Sequence, residues 1–153
     1  MDIGIYSLNA LRYLSGEEPT QVTATITNPP NDPRFVDVED TVDFKLTFLS
    51  GLIGHGTSGY SWKDGKNRYE VVGSKSTLVA EPATGYDGDR LTLNGSELPV
   101  VANNQWAAQM DHFSACVRSG RKPLTPGEEG MRDIRIIQAI YESAQTGQAV
   151  TLA

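Results

Sequence analysis

TVDFKLTFL, residues 41–49, alternates apolar and polar side chains over most of its length. Its apolar positions include Val42, Phe44, Leu46 and Phe48. A period of two is typical of a β-strand with one buried face. Ser50 and Gly51 predict a turn, and LIGHGTSGYSW at 52–62 predicts a second strand. Because so short a turn cannot make a parallel crossover, the two strands must be antiparallel.

Further strands are predicted on both sides of this hairpin, from β-branched and apolar runs separated by turn residues. They are QVTATIT (21–27), RYEVVG (68–73), STLVAE (76–81), RLTL (90–93), ELPVV (97–101) and AVTL (149–152). The proline-rich NPPNDPRF (28–35) predicts a loop. KDGKN (63–67) and Asn94-Gly95 predict tight turns.

Three segments predict helices from apolar residues at helical spacing. They are DIGIYSLNALRYLSG (2–16), QWAAQMDHFSACVRSG (105–120) and TPGEEGMRDIRIIQAIYESAQTG (125–147). In the third, Thr125 is the predicted N-cap, and Glu128 completes a capping box. Its predicted buried stripe consists of Met131, Ile134, Ile136, Ile137, Ile140 and Tyr141.

This order of elements predicts an α+β fold in one domain, residues 1–153, with helices on one face of a large, open-faced, mostly antiparallel sheet. The other face of the sheet would be an oligomer interface if its side chains are apolar. Candidates for that face are Tyr60, Trp62, Tyr69 and Val71. The alternative is that some of them pack under the helices.

Composition excludes several classes of function. The net charge of −6 argues against nucleic acid and against an anionic membrane surface. No run of 18 apolar residues exists to span a bilayer. The single cysteine, Cys116, excludes an internal disulfide and is expected in the core. The two histidines, His55 and His112, lie at no metal-ligand spacing, so no metal site is expected.

Residues 54–59, GHGTSG, match the dinucleotide fingerprint G-x-G-x-x-G. That fingerprint works where glycines turn a strand into a helix whose N-terminus holds the pyrophosphate. Here Trp62 to Gly65 turn the chain back into another strand. We therefore reject a cofactor site and expect the glycines to admit a side chain or backbone against the sheet.

One face of the first helix carries hydrogen-bonding groups at one-turn intervals. Its residues are Asp2, Tyr6, Asn9 and Tyr13. Such a row suits the hydroxyls of a sugar, and a tyrosine beside a ligand hydroxyl can relay a proton. Gly4 would leave room for a ligand or cofactor. The alternative is a solvated helix face with Asp2 as an N-terminal cap.

Longer strings carry a resemblance to a known family. MDIGIYSLNALRYLSGEEP (1–19) is similar to the segment that opens the C-terminal domain in the glucose-fructose oxidoreductase, inositol dehydrogenase and rhizopine-catabolism family, with the glucose-fructose oxidoreductase branch nearest. Further matching blocks are PNDPRFVDVEDTV (30–42), SGLIGHGTSGYS (50–61), ANNQWAAQMDHF (102–113) and PGEEGMRDIRIIQAIYESAQTGQAV (126–150).

The resemblance implies a substrate-binding and oligomerisation domain of an NAD(P)-dependent sugar oxidoreductase, which forms a homodimer or tetramer through the sheet face. Matched by motif, Tyr6 would be the acid/base catalyst and Asp2 would bind and orient the sugar. Asn9 is a further candidate for sugar binding from the same helix face, and Arg34 from the proline-rich loop.

The family's N-terminal Rossmann domain has no counterpart in this sequence. We therefore expect NADP or NAD to bind the full-length parent, with no cofactor bound by this chain and no turnover from it alone. The alternative function is a non-catalytic module for sugar binding or subunit assembly. The sequence leaves the identity of the sugar open, and it leaves a cytoplasmic or periplasmic location open.

Overall fold

The computed structural model describes residues 1–63 and 65–152, so Asp64 of the predicted KDGKN turn lies outside the described residues. Residues 1–63 form one compact unit with residue 125 onward, and the intervening residues form a second. The helices are α1 (Gly4–Ser15), α2 (Gln105–Ser119) and α3 (Gly127–Thr146). The strands are β1 (Pro19–Thr27), β2 (Thr41–Phe48), β3 (Ile53–Gly59), β4 (Tyr69–Val72), β5 (Thr77–Ala80), β6 (Leu91–Leu93), β7 (Ser96–Leu98) and β8 (Val150–Thr151).

The first unit is a four-stranded antiparallel sheet in the order β3-β2-β1-β8, with α1 and α3 packed on one face. Its register places Val22 opposite Leu46, and Leu46 opposite Gly54. The predicted alternation is confirmed, because the even-numbered residues of β2 are buried under the helices while most of the odd-numbered ones face away. These buried side chains and Leu8 of α1 form the core with Ile140 of α3.

The glycines of β3 admit side chains against the sheet, as the sequence analysis predicts. A methyl group at Gly56 would stand 2.2 Å from the ring of Phe44, and one at Gly54 would stand 3.0 Å from the side chain of Leu11. The space that a Cβ would occupy is thus filled by neighbouring core side chains. Both glycines are buried within β3.

The start and the buried face of α3 differ from the prediction. Pro126 is the N-cap, with ψ at 173°, and it makes no side-chain capping bond, so the predicted capping box of Thr125 does not form. The extended ψ of Pro126 places the first helical residue at Gly127. The buried residues are Asp133, Ile136, Ala139, Ile140 and Ser143.

The buried face of α3 is rotated from the predicted apolar stripe, so that Met131, Ile134 and Tyr141 are exposed. Two polar residues take part in this face. Asp133 pairs with Arg12 of α1 over 2.5 Å. Ser143 accepts a bond from the backbone N–H of Ala24 (3.0 Å). Specific polar partners on α1 and β1 therefore set the orientation of the helix.

The second unit contains the antiparallel sheet β4-β5-β6-β7 and α2. β4 pairs with β5 and β6 pairs with β7, both antiparallel, and Asn94 and Gly95 take the positive φ angles of 50° and 81° that the predicted tight turn needs. Asn104 caps α2 by accepting from the N–H of Ala107 (3.0 Å). Cys116 is buried as predicted.

The α+β class and the antiparallel, open-faced sheets are confirmed. The strands are divided between two four-stranded sheets, since β3 and β4 are not paired with each other. No helix among the described residues is long and apolar enough to cross a membrane.

Candidate functional site

The candidate site lies at one end of the first unit's sheet. There Thr27 ends β1 opposite Thr41, which begins β2, and Thr41 lies opposite Gly59 at the end of β3. The first turn of α1 lies over the same end, because the hydroxyl of Ser7 donates to the carbonyl of Thr57 (3.4 Å). The N-terminus of α1 and the 28–40 loop therefore meet at one edge of the unit.

Asp2 is exposed, and its Oδ2 atom accepts a hydrogen bond from the phenolic hydroxyl of Tyr60 over 2.8 Å. Tyr60 follows the last residue of β3 and is 51% exposed. From the sequence, Tyr60 was a candidate for the open sheet face and was not among the predicted site residues. Its contact with Asp2 joins residues 58 positions apart, so no local spacing signalled it.

Asp2 and Tyr6 lie one helical turn apart in the structure. The N–H of Ile5 bonds the carbonyl of Met1 (3.3 Å) and that of Tyr6 bonds the carbonyl of Ile3 (3.1 Å), so the helical turn extends back over Asp2. Side chains at this separation lie on the same face of a helix. Tyr6 is 61% exposed. Neither side chain is sealed beneath the strands.

The alternative role of Asp2 as a helix cap does not fit the structure. The N-cap of α1 is Ile3, and the helix start has no side-chain cap bond. The Asp2 carboxylate instead faces Tyr60.

Gly4 does not leave the space that the sequence analysis expected. A Cβ at this buried position would meet Met1 Sδ at 2.7 Å and Ser58 Oγ at 2.8 Å. The missing side chain therefore allows α1 to approach β3 closely, which is a packing role.

Asp40 fixes the turn that carries Tyr60. It is only 5% exposed, and its Oδ1 atom accepts the backbone N–H groups of Tyr60 (3.1 Å) and Ser61 (2.8 Å). Its Oδ2 atom accepts the Ser61 hydroxyl. The N–H of Asp40 itself donates to Asn28 Oδ1 (2.9 Å). Asn28 and Asp40 thus tie the 28–40 loop to the end of β3.

This environment also keeps Asp40 ionised. Burial by itself raises the pKa of Asp40, but the hydrogen bonds from Ser61, Tyr60 and Thr41 outweigh it, so the pKa lies below the ordinary value of 3.8. The phenol of Tyr60 is affected in the opposite direction. Its bond to Asp2, with some burial, raises the pKa of Tyr60 above 10.0.

Arg34 lies in a short 3₁₀ turn, Pro33–Phe35, within the same loop. Its guanidinium is held by Asp32, with Nη2 to Oδ2 at 2.6 Å and Nε to Oδ1 at 3.0 Å. The hydrogen bonds from Arg34 lower the pKa of Asp32 to about 2. Asp32 is the foremost cause of the raised pKa of Arg34, and the charge of Asp40 contributes. Because the 28–40 loop joins the end of β1 to the start of β2, Arg34 lies in the loop at the end of the sheet where β3 ends.

Asn9 contacts α3. Its Nδ2 atom donates to Asp133 Oδ2 (3.1 Å), while Asp133 Oδ1 accepts from buried Arg12 (2.5 Å). The structure therefore joins Asn9 to an ion-pair cluster between α1 and α3. This bond uses the amide nitrogen of Asn9 and not its amide oxygen. Asn9 as a whole is an exposed residue.

A second phenol lies close to Tyr60. Tyr141 of α3 donates its hydroxyl to Glu39 (2.7 Å). Burial raises the pKa of Tyr141, with an added electrostatic contribution from Tyr60. Besides Tyr6, this edge thus carries two phenols and two carboxylates, which make a surface able to bind several hydroxyl groups.

The described residues do not fit a dinucleotide. The G-x-G-x-x-G segment is a strand whose first two glycines are filled by Leu11 and Phe44, and it leads to β4 instead of a helix. No helix N-terminus follows it to hold a pyrophosphate. In the described part of the chain, no group of three His, Cys, Asp or Glu side chains could hold a metal ion.

A shallow groove of about 460 Å³ lies elsewhere on this unit. Its lining includes Thr23, Lys45, His55 and Gln148, and none of the four predicted site residues. We do not assign it to the candidate site.

The fold and the site together define an α+β domain that presents carboxylate and phenol groups on an exposed edge. Its sequence matches the description "Oxidoreductase family, C-terminal alpha/beta domain" over residues 1–152. The chain therefore belongs to the family of glucose-fructose oxidoreductase, inositol dehydrogenase and rhizopine-catabolism proteins, as its resemblance indicates.

Several relatives resemble the chain along its length. D-xylose 1-dehydrogenase [NADP(+)] of Haloarcula marismortui is 29% identical over 99% of this chain and 43% of that protein. The scyllo-inositol 2-dehydrogenase (NAD(+)) of Bacillus subtilis is 24% identical over 99% and 47%. The crystal structure of aldose-aldose oxidoreductase from Caulobacter crescentus complexed with glycerol has a TM-score of 0.88 and 44% identity, covering 97% of this chain and 46% of that one. The chain thus spans less than half the length of each.

Proposed function

We propose that this chain is the substrate-side domain of an NAD(P)-dependent sugar oxidoreductase, which transfers a hydride between a sugar carbon and the nicotinamide. The observation that supports this most is the exposed Asp2 carboxylate, bonded to Tyr60 and one helical turn from the exposed Tyr6. It occurs in a domain whose family includes dehydrogenases of sugars and inositols.

Asp2 would bind and orient the sugar in this proposal. A carboxylate has about four lone-pair positions, and the bond from Tyr60 uses one. The remaining positions can accept hydrogen bonds from vicinal hydroxyls. Hydrogen bonds to a carboxylate are stronger than neutral ones, which favours a polyol over an apolar ligand.

Tyr6 would be the acid/base catalyst. During sugar oxidation the reacting hydroxyl would pass its proton to the Tyr6 oxygen while the Tyr6 phenol releases its own proton to solvent, and the hydride would pass from the sugar carbon to the nicotinamide of the parent protein. In reduction the Tyr6 phenol returns a proton to the carbonyl oxygen. A general acid/base needs to be within hydrogen-bond reach of the substrate, and Tyr6 is an exposed residue that a substrate could approach.

Asn9 and Arg34 would be secondary sugar contacts. The amide nitrogen of Asn9 is bonded to Asp133, so its side-chain oxygen would be the group that accepts from a hydroxyl. Arg34 binds Asp32 through Nε and Nη2, which restricts the orientation of its planar guanidinium. The guanidinium would donate to a sugar oxygen.

The nicotinamide would be held by the rest of the parent protein, a Rossmann domain in the family this chain resembles. The cofactor supplies the hydride acceptor or donor, and the residues of this chain supply the sugar contacts and the proton. We therefore expect no turnover from this chain alone.

Turnover by the full-length protein tests this proposal. That protein is incubated with D-xylose, D-glucose or myo-inositol and with NADP⁺ or NAD⁺, and nicotinamide absorbance is followed. We expect reduction of the cofactor with at least one aldose and none with the isolated chain. No turnover with any of these substrates and either cofactor would contradict the proposal.

A second candidate is a subunit-assembly module. The outward residues of the first sheet are largely polar, with Thr23, Lys45 and His55 in one row, so this face lacks the apolar surface expected of an interface. The observation that favours assembly is α2, which exposes a stripe of apolar residues at helical spacing. That stripe consists of Trp106, Met110, Phe113 and Val117. A dimer or tetramer of the chain by size-exclusion chromatography with light scattering would support assembly, and a monomer at high concentration would contradict it.

A further inference from the structure

We propose that Tyr60 is a positioning residue of the sugar site, whose hydroxyl fixes the Asp2 carboxylate in the orientation that receives the sugar. This inference deepens the proposed function and rests on it. The bond between Tyr60 Oη and Asp2 Oδ2 is 2.8 Å long. It connects the end of β3 with the turn that begins α1.

Packing does not account for Tyr60. Half of its surface is exposed, and it belongs neither to the buried core of the unit nor to the partly buried residues packed against that core. A tyrosine with a purely structural role usually buries its ring in the core. In this structure the hydroxyl is directed at a carboxylate.

The backbone of Tyr60 is held rigidly, as a positioning residue requires. Its N–H and that of Ser61 donate to one oxygen of buried Asp40. Asp40 is in turn bonded to Asn28 through its own N–H. Hydrogen bonds thus link Asn28 to Asp40, Asp40 to the backbone of Tyr60, and the Tyr60 hydroxyl to Asp2.

A fixed Asp2 carboxylate would favour turnover, because the rate of the reaction depends on how precisely the bound sugar is oriented. Asp2 lies outside the regular helix and makes no cap bond, so its backbone alone does not restrict its side-chain rotamer. The bond from Tyr60 restricts it and leaves the other carboxylate positions for sugar hydroxyls. Misplacing a bound reactant by about 1 Å can reduce a rate by roughly 100-fold.

Tyr60 stays a donor over the useful pH range. Its bond to Asp2 raises its pKa above 10.0, so the phenol keeps its proton at neutral pH. The stabilisation from the hydrogen bond between Tyr60 and Asp2 is fully present below pH 10 and is lost as the pH rises through the raised pKa. The donor therefore remains available throughout the pH range in which the sugar site would work.

Tyr60→Phe in the full-length protein tests the inference, because it removes the hydroxyl and keeps the ring. We expect kcat for the aldose to fall about 10-fold, with a smaller change in KM and an unchanged unfolding midpoint. Trp62→Phe is the matched control, since Trp62 lies two residues later and its Nε1 donates to Thr41 (3.1 Å) instead of to Asp2. We expect it to keep the wild-type kcat.

A second measurement does not depend on activity. Tyrosine ¹³Cζ NMR on this chain follows the titration of Tyr60, assigned through Tyr60→Phe. We expect Asp2→Asn to lower the pKa of Tyr60 back toward 10.0, because the charge that raises it is removed.

Two results would overturn the inference. One is a Tyr60→Phe protein with unchanged kcat and KM in an active parent. The other is a Tyr60 titration that Asp2→Asn leaves unchanged. Failure of the proposed function is distinguishable from both, because the wild-type parent would itself be inactive while the Tyr60 titration still responded to Asp2→Asn.

Discussion

Arg12 of α1 and Asp133 of α3 form a buried ion pair with a separation of 2.5 Å. Arg12 is 5% exposed, and it also contacts Glu18 (2.7 Å) and Glu129 (2.8 Å). This cluster fixes which face of α3 is turned toward α1. It also holds the helix that carries Tyr6 in place over the sheet.

Loss of Arg12 should destabilise the chain strongly. Arg12→Met leaves the Asp133 carboxylate buried without its main partner, which costs about 3 kcal/mol or more in the free energy of unfolding. The measurement is urea denaturation followed by circular dichroism. As a control, Arg12→Met with Asp133→Leu removes both charges and should recover most of the loss. A double variant as unstable as the single one would contradict this account.

Ser143 makes a second polar link that should be sensitive to mutation. Its hydroxyl accepts from the N–H of Ala24 (3.0 Å) and donates to the carbonyl of Gln148 (2.7 Å), and it is 1% exposed. Ser143→Ala leaves both backbone groups without this partner, so we expect a loss of about 1–3 kcal/mol. Ser119→Ala removes an exposed hydroxyl bonded to its own helix. Equal unfolding midpoints of the two variants would contradict the prediction.

Gly56 and Gly130 give opposite predictions for the same substitution. Gly56→Ala would drive a methyl group into the ring of Phe44, which costs about 1–3 kcal/mol. Gly130 lies inside α3, and nothing is within 4 Å of an added Cβ. Gly130→Ala should therefore raise stability by about 1 kcal/mol. Thermal unfolding of both variants tests this, and a stabilising Gly56→Ala would show that β3 does not pack as described.

Much of the fold could be predicted because it depends on local patterns. The period-two strand at 41–49 and the glycines that end the helices at Gly16, Gly120 and Gly147 fixed the elements. Ile136 and Ile140 of the predicted α3 stripe are buried, but the rest of the buried face could not be predicted, since it is set by polar partners on other elements. A hydrophobicity pattern gives no weight to a buried Asp133 that binds Arg12.

The site was predictable only in part, for the same reason. The one-turn spacing of Asp2 and Tyr6 is local, and it persists in the structure. Tyr60 approaches Asp2 only because β3 ends beside the start of α1, and Asn9 finds its partner on α3. Contacts between elements far apart in sequence left no spacing to detect.

The pair of Arg12 and Glu18 predicts a specific response to acid. The hydrogen bond from Arg12 lowers the pKa of Glu18 below 4.5, although burial opposes this. The stabilisation is therefore present above pH 4.5 and is lost as the pH falls through the lowered pKa. Because Glu18 is half exposed, we expect no more than about 1 kcal/mol.

Glu18→Gln tests that response. It should be less stable than wild type at about pH 7, and the difference should shrink at about pH 3, where the wild-type carboxylate begins to bind protons. Urea midpoints of both proteins at the two pH values measure it. A difference that stays constant with pH would contradict the assignment.

The role of Tyr6 is the central claim, and the kcat/KM of Tyr6→Phe in the full-length protein tests it most directly. Loss of a general acid/base should lower kcat/KM for an aldose by about 10²- to 10⁴-fold. Tyr86→Phe is the control, since Tyr86 is an exposed tyrosine of the second unit whose ring contacts that of Trp106. We predict that only Tyr6→Phe loses activity. A Tyr6→Phe protein with the wild-type kcat/KM would contradict the account.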